Sequence, residues 1–384
     1  MKRITIPGFL CILLAILLLQ LSCRKSVDQV EPKPSPVELI ETELNTVFDS
    51  IIENTHVPGI VAGIWAPNEG IELIYEGGYA DLETKETMDS DMLFRIASNT
   101  KTFAITILLQ LVDEGKISLD DKLSQYYPDF PRGNEVTIEM LTNMRSGIGN
   151  YVERLEFWEM VFADPTHFWT IDEILELNFE IFGENLYYFD PGTGFHYSNT
   201  NTIIIEGIIE MVSGISLESL ITQSIINNLS LVNTSYIIGG CHIPGYHSKA
   251  YYFGEYDESF PELSEYLDYS FARAAGGMIS NIYDLKVYVK ALVEGDFVSQ
   301  QLQEKRMDVH EISPATSLRY GIGMMESGGF YGHNGGAPGY TSLMVHSPDR
   351  NCTIVVWYNC NLGGADPTQL LDVIPQIIYS DIND

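Results

Sequence analysis

Apolar residues recur at helical spacing at Val37, Ile40, Leu44, Val47, Phe48 and Ile51, which predicts an amphipathic helix over residues 36–53. Two β-branched runs follow, 59–65 and 71–75, and the turn residues between them, Pro67-Asn68-Glu69-Gly70, make them a hairpin. The pattern then changes. Over residues 101–112 nearly every position is apolar (Phe103, Ile105, Ile107, Leu108, Leu109, Leu111), and a helix with no polar face is a buried one. Glu114-Gly115 ends it. Residues 119–231 read as helical and loop-rich. Thr137 caps one short helix there and Asp172 opens another, while 202–212 is a second wholly apolar helix closed by Ser213-Gly214. After residues 272–277 comes a helix over 282–292. Strand-like runs return at 320–324, 340–346 and 352–358, the last two joined by the turn sequence 347–351, and a closing helix covers 368–379.

Strands near both ends of the chain with helices between them, and no internal repeat, predict an α+β fold. Its antiparallel sheet is flanked by N- and C-terminal helices and interrupted by a mostly helical insertion. On this reading residues 37–384 form one domain, with the sheet part over about 37–100 and 272–384 and the helical part over about 115–235.

The first 36 residues follow another logic. Lys2 and Arg3 precede an apolar run, 9–21, too short for a comfortable membrane span, so 1–22 reads as an export signal. The run ends Leu19-Gln20-Leu21-Ser22-Cys23, which resembles a bacterial lipoprotein box although Gln20 and Leu21 depart from the usual residues. Lipidation is therefore expected at Cys23, with residues 23–36, carrying Pro32, Pro34 and Pro36, as a tether. An ordinary secretory signal that happens to contain a cysteine is the alternative. The expected location is the cell envelope of a bacterium, with membrane attachment through the lipid alone.

Composition narrows the function by exclusion. A formal charge of −32 leaves no basic surface for nucleic acid. Beyond Cys11 and Cys23 there remain Cys241, Cys352 and Cys360, an odd number, and the last two bound an expected strand that would hold them far beyond disulfide reach. The eight histidines show no H-x-x-x-H and there is no C-x-x-C, so no metal and no cofactor are expected.

Ser98-Asn99-Thr100-Lys101 stands at the mouth of the first apolar helix. Residues three apart on a helix share a face, so Ser98 and Lys101 can meet. A serine hydroxyl needs a nearby proton acceptor to act as a nucleophile, and a lysine at the edge of a buried helix loses charge to desolvation. The pattern is weak alone, since roughly one or two S-x-x-K matches arise by chance at this composition, and Ser22-Cys23-Arg24-Lys25 is another. Two later motifs give it weight: Tyr197-Ser198-Asn199 and His333-Asn334-Gly335, in that order. Each residue has a bland reading too. Ser98 or Asn199 could simply cap a helix, Tyr197 could be core, and the glycines around His333 could form a plain turn.

With these motifs the chain resembles the penicillin-recognising serine hydrolases, in particular class C β-lactamases and the related D-alanyl-D-alanine carboxypeptidases and esterases. The Y-x-N and H-x-G forms replace the S-D-N and K-T-G of other branches. The resemblance covers nearly all of residues 37–384, including Thr137–Leu141, Ser146-Gly147-Ile148 and the Ala275-Gly276-Gly277 segment. It implies an acyl-enzyme on Ser98, with Lys101 and Tyr197 as the proton-transfer pair and Asn199 orienting substrate and Lys101. An oxyanion hole would use the backbone N–H groups of Ser98 and Gly336. His333, Asn334, Gly335 and Gly336 would form a substrate-binding edge. Because imidazole is mostly neutral at pH 7.5, His333 is expected to attract substrate carboxylates only as the pH falls toward 6. Tyr151 either lines the cleft or packs. The expected activity is cleavage of an amide or ester in a small or D-amino-acid-containing substrate by a monomer. A true class C-type β-lactamase and a feebly catalytic penicillin-binding lipoprotein are the alternatives.

Overall fold

In the computed structural model, which describes residues 34–252, 262–361 and 366–379, the expected hairpin is one edge of a larger sheet. Strands β1 (Gly59–Ala66) and β2 (Ile71–Gly78) pair antiparallel along their whole length. Six more strands come from the C-terminal part: β3 (His310–Glu311), β4 (Arg319–Tyr320), β5 (Met325–Ser327), β6 (Phe330–Ala337), β7 (Tyr340–Ser347) and β8 (Cys352–Tyr358). They are arranged β2-β1-β8-β7-β6-β5-β4-β3, antiparallel throughout. Ile60 lies opposite Tyr358, so the N-terminal hairpin joins the C-terminal strands through the β1–β8 pair. There β1 and β8 are buried at every position, which is why both read as continuous apolar runs, whereas the edge strand β2 alternates.

Helix α1 (Pro36–Asn54) starts at a capping box formed by Ser35 and Glu38 and buries Leu44 and Phe48 against one face of the sheet, beside the C-terminal helix. On the other side α2 (Thr100–Asp113) has eleven buried residues, because it is enclosed between the sheet and the helical part. The helical part includes α3 (Leu155–Ala163), α4 (Ile171–Phe182) and α5 (Asn199–Ser213), and α2 packs directly on α5. Helix α6 (Ile282–Glu294) covers β7 and β8, and α7 (Leu370–Tyr379) closes the fold beside α1. The α+β arrangement is as expected from the sequence.

Several details differ. Residues 320–324 are not one strand: β4 ends at Tyr320, the Gly321 N–H donates to the Met324 carbonyl (2.9 Å), and β5 begins at Met325. The glycine-rich stretch around His333 is the inner half of β6, not a turn. Helix α4 is capped by Thr170, ahead of the expected Asp172. Cys360 lies past the end of β8, on the two-residue strand Cys360–Asn361, and Cys241, Cys352 and Cys360 are all free. The expected signal, Cys23 and the tether up to residue 33 lie outside the described residues. Among the described residues no helix is long and apolar enough to cross a membrane.

Candidate active site

Ser98 lies in a short 3-10 turn, Ala97–Asn99, that runs straight into α2. Ala97 has φ +49°, a left-handed conformation that a non-glycine residue holds only when its neighbours impose it. They do so through Asn99, whose Nδ2 donates to the Ile96 carbonyl and to Ser342 Oγ, both at 2.8 Å. The turn is thereby tied to β7. Neither Ser98 nor Asn99 makes a side-chain cap for the helix, so the capping reading of Ser98 fails.

One turn later Lys101 is fully buried, and its Nζ has three oxygen neighbours: Asn199 Oδ1 at 2.6 Å, the Ala275 carbonyl at 2.7 Å and Ser98 Oγ at 3.0 Å. Among the described residues no carboxylate pairs with it. Burial therefore holds its pKa well below the usual lysine value. Asn199 Oδ1 and the Ala275 carbonyl can only accept. A neutral amine donates its two N–H groups to them and turns its lone pair toward the Ser98 hydroxyl. That is the arrangement of a base.

Asn199 is the first residue of α5, not its cap, and its side chain works across the helix end. Its Nδ2 donates to Asn150 Oδ1 (3.2 Å), which also accepts the Asn199 backbone N–H (3.1 Å), so the amide's oxygen is left for Lys101. Tyr197 sits with its ring centroid 4.9 Å from Lys101 Nζ. Burial raises its pKa, with the nearby Ser98 hydroxyl offsetting part of the shift, so at neutral pH it is a phenol and not a phenolate. Its Oη is buried without a well-formed hydrogen bond.

The third motif divides. β6 pairs with β5 only from Phe330 to Gly332, and its inner half packs instead against the Ser98 turn. Gly335 is required there, because a methyl group would collide with the Ile96 carbonyl and Ser342 Oγ. Gly336 faces open space and borders the same cavity as Ser98. His333 and Asn334 do not line that cavity. His333 is buried between Tyr320 and its own strand. Its Nδ1 lies 2.6 Å from the Asn334 carbonyl and must carry the proton, leaving Nε2 to accept from the Tyr320 hydroxyl at 3.0 Å. Burial, aided by Lys101, pushes its pKa down to about 3. The expected gain of charge near pH 6 is therefore lost, because the protonated ring would be desolvated.

Above Ser98 opens a cavity of about 200 Å³. Trp158, Phe162, Tyr269 and Phe271 form much of its wall, with Ser98, Asn199 and Gly336 at its base. Tyr151 both lines it and packs, its hydroxyl donating to the Phe271 carbonyl at 2.7 Å. Among the described residues that line the cavity, none is charged.

A profile of the β-lactamase family matches residues 44–376. The chain belongs to the β-lactamase family. It is accordingly a serine hydrolase. Among relatives of this β-lactamase-family chain, a penicillin-binding protein of Bacillus subtilis is 27% identical over 333 residues, which cover 82% of the chain and 71% of that protein. The solved D-stereospecific amidohydrolase of a Streptomyces species is 27% identical, with a TM-score of 0.76 over 88% of this chain and 98% of that one. The D-amino acid amidase of Ochrobactrum anthropi has the same TM-score at 24% identity and shares the fold.

Sequence reasoning missed Asn150, the Ala275 carbonyl and Tyr320 as neighbours of this hydrolase site. A backbone carbonyl leaves no trace in residue identity. It missed Glu206 as well, and here a signal existed. Glu206 interrupts the apolar run of α5, and a charge at such a position must be paired. It meets Arg273, Nη2 to Oε1 at 2.9 Å.

Proposed function

We propose that this protein hydrolyses an amide or ester through an acyl-enzyme on Ser98. The observation that carries the reading is Lys101: a buried amine with no carboxylate partner among the described residues, two acceptors beside it and Ser98 Oγ at 3.0 Å. Ser98 Oγ attacks the substrate carbonyl while Lys101 Nζ takes its proton. The backbone N–H groups of Ser98 and Gly336, at the same cavity, are the candidates for holding the oxyanion. Tyr197 passes the proton on to the leaving group, and the same pair then activates the water that releases the acyl group.

The substrate follows from the cavity. An apolar cavity of about 150 Å³ holds one benzene ring, so this aromatic-walled space suits a single ring or a branched aliphatic group next to the scissile bond. The amidohydrolase likeness supports a D-configured amide. A β-lactamase or carboxypeptidase reading needs a cation facing the substrate carboxylate. Among the described lining residues there is none, and His333 stays neutral. We further propose residues 37–384 as the catalytic domain, exported and anchored through Cys23; a mass spectrum of the mature N-terminus showing an unmodified or differently cleaved peptide would remove the anchor.

Ser98→Ala is the direct test of the mechanism. It is expected to abolish fluorophosphonate labelling and to lower turnover of a neutral D-phenylalanyl amide or aryl ester on the order of 10³-fold or more, without unfolding. A mutant that labels or turns over at the wild-type rate rejects the mechanism.

A further inference from the structure

Lys101 depends on two acceptors, and they come from different segments. Asn199 belongs to α5, while Ala275 belongs to the four-residue helical turn Arg273–Gly276. Within the motifs, Thr100 Oγ1 accepts the Met278 N–H at 3.2 Å, just past the end of the second segment. The start of that segment is held by one carboxylate. Glu206 lies two helical turns beyond Asn199 on α5, fully buried. Its Oε1 accepts from Arg273 Nη2 at 2.9 Å and from the Tyr236 hydroxyl at 3.0 Å. Its Oε2 accepts the backbone N–H of Ala274 at 3.0 Å. Arg273 itself has φ +38°, a conformation that needs outside support. One helix therefore supplies one ligand of Lys101 directly and grips, two turns on, the turn that supplies the other.

We infer that Glu206 and Arg273 are positioning residues for the base: they fix the Ala275 carbonyl on Lys101 and so hold the lysine lone pair on Ser98. This rests on the reading of Lys101 as the base. Geometry requires some such device. With Asn199 alone, Nζ could rotate about its terminal bonds and spend its lone pair elsewhere. With two fixed acceptors on either side, only one direction remains, and Ser98 occupies it. The same grip places Ala275 and Gly276, which border the cavity. The other groups in the field of the pair are Glu210, Tyr127 and Tyr151, and those around Lys101 are Tyr197 and His333.

The test is Glu206→Gln, which keeps the shape and an oxygen while removing the charge. Rates are normalised to serine titrated with a fluorophosphonate, so that unfolded protein is not counted. The expected result is a kcat at least tenfold lower with KM within twofold, and an acid limb of kcat/KM moved to lower pH. The shift arises because the unbalanced guanidinium and the loosened carbonyl both disfavour a protonated Lys101. Arg273→Lys alone, which retains the ion pair with the native Glu206, should keep most of the wild-type kcat. If Glu206→Gln fails to fold, the double variant Glu206→Gln/Arg273→Met strands no charge and should fold with the same reduced kcat. A purely structural role would lower the melting temperature and leave kcat per titrated serine and the pH profile unchanged. That outcome, in either variant, overturns the inference. A Lys101→Ala enzyme with wild-type kcat would instead remove the base reading beneath it.

Discussion

Lys101 and Arg273 are both buried cationic side chains serving the same corner of the fold, and they meet opposite surroundings. Arg273 faces the carboxylate of Glu206, which also accepts the Ala274 N–H and the Tyr236 hydroxyl. The charge of Glu206 holds its guanidinium protonated against the cost of burial. Lys101 faces two neutral oxygens and a hydroxyl. Among the described residues nothing there compensates a charge, so burial lowers its pKa well below the usual lysine value. The paired cation is a strut, and the unpaired one suits the role of base proposed above. Arginine suits the first role because its forked, permanently charged group reaches a carboxylate with directed bonds; lysine suits the second because its pKa yields to desolvation.

The comparison breaks most visibly at Lys101. Lys101→Met is expected to lower kcat/KM on the order of 10³-fold or more, with a stability loss of only about 1–3 kcal/mol, since Asn199 Oδ1 and the Ala275 carbonyl lose their donor but no charge is left unpaired. A large loss of stability, seen by calorimetry, would mean that the lysine carries a paired charge after all.

Next is the coupling with Tyr197. Tyr197→Phe alone should be nearly as damaging as the lysine change, and the double variant little worse than either, because both serve one proton path. Strictly additive losses in kcat would separate the two residues.

The strut behaves in the reverse sense. Glu206→Ala should cost about 3–5 kcal/mol of stability by leaving the guanidinium buried without a partner, as measured by urea unfolding. A change under about 1 kcal/mol would show that water or a neighbour takes over the role of Glu206.

The effect that vanishes at neutral pH belongs to His333. His333 has a folded pKa of about 3 against an unfolded value near 6.5, so below pH 6.5 the unfolded chain binds the extra proton. Its neutral form contributes stability that is present above pH 6.5 and lost as the pH falls toward 3, at up to about 1.4 kcal/mol per pH unit. His333→Gln should flatten melting temperature against pH in that window. By the same logic KM for a carboxylate-bearing substrate should not improve between pH 7.5 and 6. An improvement that His333→Gln removes would restore the imidazole as an anion site.

Much of this was readable from residues. The period-3.6 spacing of α1, the β-branched hairpin and the continuous apolar runs of α2 and α5 all reported burial, and burial is what those side chains have in common in the fold. S-x-x-K could be read because both partners lie one helical turn apart, a distance set by local geometry. The part played by β6 was not legible. Its sequence, with Gly332, Gly335 and Gly336, has little strand propensity, and it is a strand because β7 pairs with it and the Ser98 turn packs on its inner half. His333 was read as a substrate-facing imidazole that titrates near neutrality, since nothing nearby in sequence announces Tyr320 as its cover.

By itself, then, the sequence determined the α+β layout, the order of the three motifs and the pairing of Ser98 with Lys101, because each depends on periodicity or on neighbours within one helical turn. Only the tertiary structure decided that Lys101 has no counter-charge among the described residues, that Ala275 turns its carbonyl inward and that His333 is sealed from solvent. These are facts about what surrounds a group in space. A side chain's proton affinity is set by its neighbours across the fold, whose distances from it along the chain run here from 98 residues to 174.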